Sequence, residues 1–122
     1  MRTLSCFLLA VGIALGQGRG GDFNIRFDPT AALQASVAIP FAIHVTDARH
    51  MNLLNAKVTL QIETLQHTDV TVFNAAGTDP GVYVAKPIFP SAGEWSVYVE
   101  VRQGDRVSAR TIEYNVPETI SP

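Results

Sequence analysis

The chain has 122 residues, 47% of them hydrophobic and 16% charged, with a formal net charge of −2. That is enough apolar material for one core and one domain, and too much for a disordered chain. The acidic balance excludes the basic face that nucleic acid requires and disfavours contact with anionic lipid.

The first elements in chain order read as export signals. Arg2 supplies a positive start, and Leu4 to Leu15 is an apolar run of the length of a signal h-region. It is shorter than the roughly 20 residues a membrane-spanning helix needs. Ala14-Leu15-Gly16 places small residues where a signal peptidase reads, so residues 1–16 are expected to be a cleaved signal peptide and 17–22 a flexible leader. Retention of the segment would instead make it a membrane anchor. The expected location is exported: periplasmic, cell-surface or secreted. Removing Arg2 leaves eight basic against eleven acidic side chains, a net of −3. The single cysteine, Cys6, lies inside the signal segment. The domain is therefore expected to have no disulfide, and thiolate zinc chemistry is excluded by count.

From Phe23 onward the pattern has period two, the signature of half-buried strands, with no sustained helical period. Phe23, Ile25 and Phe27 mark a first strand that Asp28-Pro29 interrupts. Ala31-Ala32-Leu33-Gln34 can form one helical turn capped by Asp28. Phe41, Ile43 and Val45 mark the next strand, opened by Pro40, and residues 47–55 read as a loop. Val58, Leu60 and Ile62 follow, then a shorter strand with Val70 and Val72. Residues 74–81 read as a turn-rich loop before Val82 and Val84. Trp95, Val97, Val99 and Val101 alternate most cleanly, with Trp95 the expected core anchor and Tyr98 on the outer face. After a hairpin at Gln103-Gly104-Asp105, the last strand reaches Val116. Its apolar residues change parity between Ala109 and Ile112, which predicts a β-bulge near Arg110-Thr111. Residues 118–122 read as a tail.

About seven short strands, with turn signals every ten or so residues, predict an all-β, immunoglobulin-like Greek-key sandwich over residues 23–117. Asp79-Pro80-Gly81-Val82-Tyr83 resembles the D-x-G-x-Y tyrosine corner of such sandwiches, whose hydroxyl bonds back to nearby backbone.

Gly81-Val82-Tyr83, then Phe89-Pro90-Ser91-Ala92-Gly93-Glu94-Trp95, resembles the G-x-Y … aG-x-W pattern of YtkA-like and FixH-like domains. The strand ending at Asp47, followed by Asn55-Ala56-Lys57-Val58, is similar to their "v-t-D … n-A-x-V" stretch. The resemblance covers about Phe27 to Val101 and implies an exported accessory domain associated with copper handling and heme–copper oxidase assembly. Many members carry methionines and histidines after the A-x-V strand. Here that stretch, Thr64 to Asp69, holds one histidine, His67, and no methionine.

Copper outside the cytoplasm takes imidazole and thioether ligands. His50, Met51 and His67 are the candidate metal site, with Greek-key connectivity expected to bring their two loops to one end of the sandwich. Their alternative reading is as ordinary loop side chains, and His44 reads as a surface residue on the polar face of its strand. No nucleophile elbow, HExxH helix or P-loop is present, so the function expected is non-enzymatic. A structural or adhesive domain that binds a protein or glycan without metal is the alternative, and Tyr98, beside Glu100 and Arg102, suits it.

Overall fold

The computed structural model describes residues 23–66 and 68–118. The expected signal peptide and leader, His67 and all of the expected tail except Glu118 lie outside them.

The described residues form two antiparallel sheets of four strands each. In chain order the strands are β1 (Phe23–Pro29), β2 (Phe41–Asp47), β3 (Lys57–Thr64), β4 (Val70–Asn74), β5 (Ala76–Asp79), β6 (Val82–Ala85), β7 (Gly93–Gln103) and β8 (Arg106–Val116). One sheet has the order β1-β2-β6-β5 and the other β4-β3-β7-β8. This is the immunoglobulin-like arrangement, with one strand beyond the seven of the constant type added to the second sheet.

Each long strand buries one parity. Phe23, Ile25 and Phe27 of β1, Phe41, Ile43 and Val45 of β2, Val58, Leu60 and Ile62 of β3, and Trp95 to Val101 of β7 line the space between the sheets. Trp95 is 1% exposed, as its alternation predicts. Its indole meets Phe89 edge to face at 5.7 Å, and Phe41 meets Phe89 at 6.3 Å and Tyr114 at 5.5 Å. Aromatic rings thus fill one end of the core in the tilted and edge-on geometries their quadrupoles favour.

Four expectations change. The turn-rich segment 74–81 contains β5, an edge strand whose four residues are all exposed. Backbone pairing with β6 alone defines it, and no burial pattern advertised it in the sequence. No helical turn forms over residues 31–34. That connection is instead tied down by backbone bonds, from Ser36 N–H to the Phe89 carbonyl and from Ile39 N–H to the Pro87 carbonyl.

The bulge near Arg110-Thr111 is also absent. β7 and β8 pair without a register break from Gly93↔Val116 to Gln103↔Arg106. β8 keeps one inward parity throughout, but at its first half that parity is polar. Ser108 is 2% exposed, and its Oγ accepts from the Phe23 N–H at 3.1 Å. Arg110 Nη1 donates to the Ile25 carbonyl at 2.9 Å. These side chains serve the unpaired edge of β1, which otherwise would leave polar backbone groups without partners. Val107 and Ala109 face outward instead.

The tyrosine motif is the fourth change. Tyr83 lies on β6 and is buried, but its hydroxyl does not bond to nearby backbone. It donates to the Leu53 carbonyl at 2.8 Å and accepts from the Ala56 N–H at 3.2 Å, both in the β2–β3 loop. The preceding Gly81 has φ +75°, and a Cβ there would stand 2.8 Å from the Asn52 Cβ. Glycine is required because the turn and the same loop approach so closely. The motif therefore clamps the β2–β3 loop onto the first sheet.

Candidate functional site

The β2–β3 loop carries two of the expected metal ligands. Asp47 closes its first turn: Oδ1 accepts from the N–H of Arg49 at 2.8 Å and of Met51 at 3.0 Å. These bonds, Met51 first, hold the Asp47 carboxyl below its ordinary range, with small help from Arg49 and His50. His50 occupies the left-handed region at φ 66°, and its N–H donates to the Asp47 carbonyl. Both His50 and Met51 are exposed, Met51 by 62%. The loop thus presents an adjacent imidazole and thioether on a constrained backbone.

The two ligand-bearing loops do not converge. The β2–β3 loop sits where Lys57 pairs with Arg102, and Gln103 Nε2 donates to the Leu54 carbonyl at 2.7 Å. The β3–β4 connection starts at Thr64, opposite Trp95, and is closed by the Thr64–Thr68 hydroxyl contact at 2.9 Å. The eight residues of β3 separate the two ends, roughly 25 Å at 3.3 Å per residue. His67 itself lies outside the described residues. Among the described residues no three His, Cys, Asp or Glu side chains group as metal ligands. His44 is exposed on the outer face of β2, as expected.

A broader feature is the outer face of the β4-β3-β7-β8 sheet. Register places Val72, Gln61, Tyr98 and Thr111 in one row across four strands. The next row holds Val70, Glu63, Ser96 and Glu113, and the row on the other side Asn74, Thr59, Glu100 and Ala109. Tyr98 therefore stands near the middle. Partial burial, with Glu100 nearby, raises its phenol above the ordinary value. Glu100 is bridged by Arg102 at 2.8 Å on the rim. Val70 and Val72 are 51% and 56% exposed, although their sequence alternation resembles that of core residues. The inward residue of that strand is Phe73, packed against the core.

No family model matches the chain, and no curated protein matches it. Its fold is similar to that of a DUF4426 family protein from Pseudomonas aeruginosa PAO1, known from a crystal structure. The two superpose with a TM-score of 0.53 at 12% identity, over 81% of this chain and 94% of that one. At that identity the likeness speaks for the β-sandwich fold alone.

Sequence reasoning singled out Tyr98 but missed its apolar neighbours Val70 and Val72, because strand alternation does not say which parity faces in. The signal that could have found them is Phe73, the larger apolar residue of opposite parity.

Proposed function

We propose that the chain is a non-enzymatic, extracytoplasmic accessory module that works by engaging a protein partner. The outer face of the β4-β3-β7-β8 sheet is the contact surface. One observation carries this reading: a half-buried tyrosine near the middle of the face, exposed valines at one edge, and charged side chains toward the rim. Protein contacts favour that composition, since tyrosine contributes large area at low entropic cost and rim charges set orientation. The apolar signal segment supports an exported location.

A photo-crosslinking residue at position 72, in the full chain produced in its own cells, should give one discrete protein adduct. The same group at Thr78, on the β1-β2-β6-β5 sheet, should give none. No adduct at position 72, or equal adducts at both, would count against the surface.

The resemblance to YtkA-like and FixH-like domains supports a second reading, copper handling. The observation in its favour is the adjacent, exposed His50 and Met51 on a pinned loop. Cu(I) accepts such soft ligands, so this reading rests on His50 and Met51 of the β2–β3 loop. In a Cu(I) competition titration, wild type should outcompete the variant carrying His50→Ala and Met51→Leu. Equal competition by the two proteins would remove this reading and leave protein recognition alone.

A further inference from the structure

The strongest unassigned feature lies at the seam of β1, β2 and β8. A cleft of about 330 Å³ is lined by Asn24, Ile25, Arg26, His44, Thr46, His50 and Arg110. Among the described residues no carboxylate lines it, although acidic residues outnumber basic ones in the chain. Arg26 and His44 stand directly opposite each other on paired strands, as do Asn24 and Thr46. This pairing places no opposite charge across from the Arg26 guanidinium. The Arg26 guanidinium has no hydrogen-bond or ion-pair partner among the described residues. Arg110 is anchored by one bond to the Ile25 carbonyl at 2.9 Å, which leaves most of its five N–H donors unused.

The nearby acids among the described residues do not neutralise the cleft. Asp28 follows on the same face of β1, opposite Ala42 and beyond the lining. The Asp47 carboxylate is engaged by two backbone N–H groups of its own loop. Two guanidinium groups, two imidazoles, an amide and a hydroxyl therefore line one cleft without a counter-charge among the described residues. That donor set is suited to an oxyanion, since guanidinium forks bind phosphate and sulfate through paired, charge-assisted bonds.

We propose that this cleft binds a phosphate or sulfate group, with Arg26 and Arg110 as the principal donors and His44 and His50 flanking them. This site lies on the outer side of β1 and β2, with Arg110 reaching it from β8, and does not depend on the proposed protein contact face.

The test is amide-detected NMR titration of the full chain with inorganic phosphate and inorganic sulfate at constant ionic strength. A sulfated disaccharide and its unsulfated counterpart separate a glycan source from a free ion. Saturable shifts at Asn24, Arg26 and Thr46 are expected for any ligand carrying the oxyanion. Arg26→Gln, which removes an unpartnered side chain, should weaken binding about tenfold or more, as for loss of a charge-assisted hydrogen bond. Arg49→Gln, outside the lining, should leave it unchanged. Absence of saturable shifts, or equal weakening by both variants, would overturn the site. So would equal binding of the unsulfated disaccharide.

Discussion

Replacing Trp95 with alanine should cost about 3–5 kcal/mol of stability, as for other large aromatic truncations in packed cores. The indole is 1% exposed and fills the end of the sandwich where Phe89, Phe41 and Tyr114 meet. Its Nε1 also donates to the Ser91 carbonyl at 3.0 Å, which fixes the turn entering β7. Alanine removes the ring, its contacts and that bond together. Domains of this size have only about 5–15 kcal/mol in total, so the loss should be plain in a denaturant melt. Trp95→Phe, which refills much of the space but not the bond to Ser91, should lose clearly less. A loss below roughly 1 kcal/mol for Trp95→Ala would mean that the ring is not a core anchor.

Tyr83→Phe should destabilise by about 1–3 kcal/mol, although it removes a single oxygen. That hydroxyl is shared between the Leu53 carbonyl and the Ala56 N–H. Leu53 is buried and Ala56 half-buried, so water cannot freely replace the lost partner. An orphaned buried polar group costs more than the net worth of the bond it once made. At roughly 4–8 °C per kcal/mol for a domain of this size, thermal melting should fall by several degrees. Because the clamp holds the β2–β3 loop, proteolysis between Asp47 and Ala56 should also quicken. An unchanged melt and cleavage rate would show that the loop is held by its own backbone bonds, among them Leu53 N–H to the Val45 carbonyl.

The fold was legible where one face of a strand is apolar and the other is not. β2 and β7 follow that rule, and their inner residues are those the alternation predicts. It failed where polar side chains face inward for a specific reason. Ser108 and Arg110 serve the backbone edge of β1, so their strand looked as if it changed phase. It failed again where backbone pairing acts without burial, as in β5, and where both parities are apolar, as at Val70, Val72 and Phe73. The Tyr83 motif was visible, but its partners lie in another loop, and no local spacing shows which backbone a hydroxyl will reach. The metal-site geometry was least legible, because loop convergence depends on which end of β3 each connection joins. The cleft at the β1–β8 seam brings Arg26 and Arg110 together from strands far apart in the chain. Only the juxtaposition of two sheet edges reveals it.

The most direct test of the proposed contact face is cross-linking from position 72 in the Tyr98→Ala background. Tyr98 is on the outer face and only half-buried, so its loss should leave the melting transition nearly unchanged. If the face engages a partner, the adduct formed from position 72 should disappear while the protein remains folded. An adduct that persists undiminished in a folded Tyr98→Ala protein would contradict recognition through this surface.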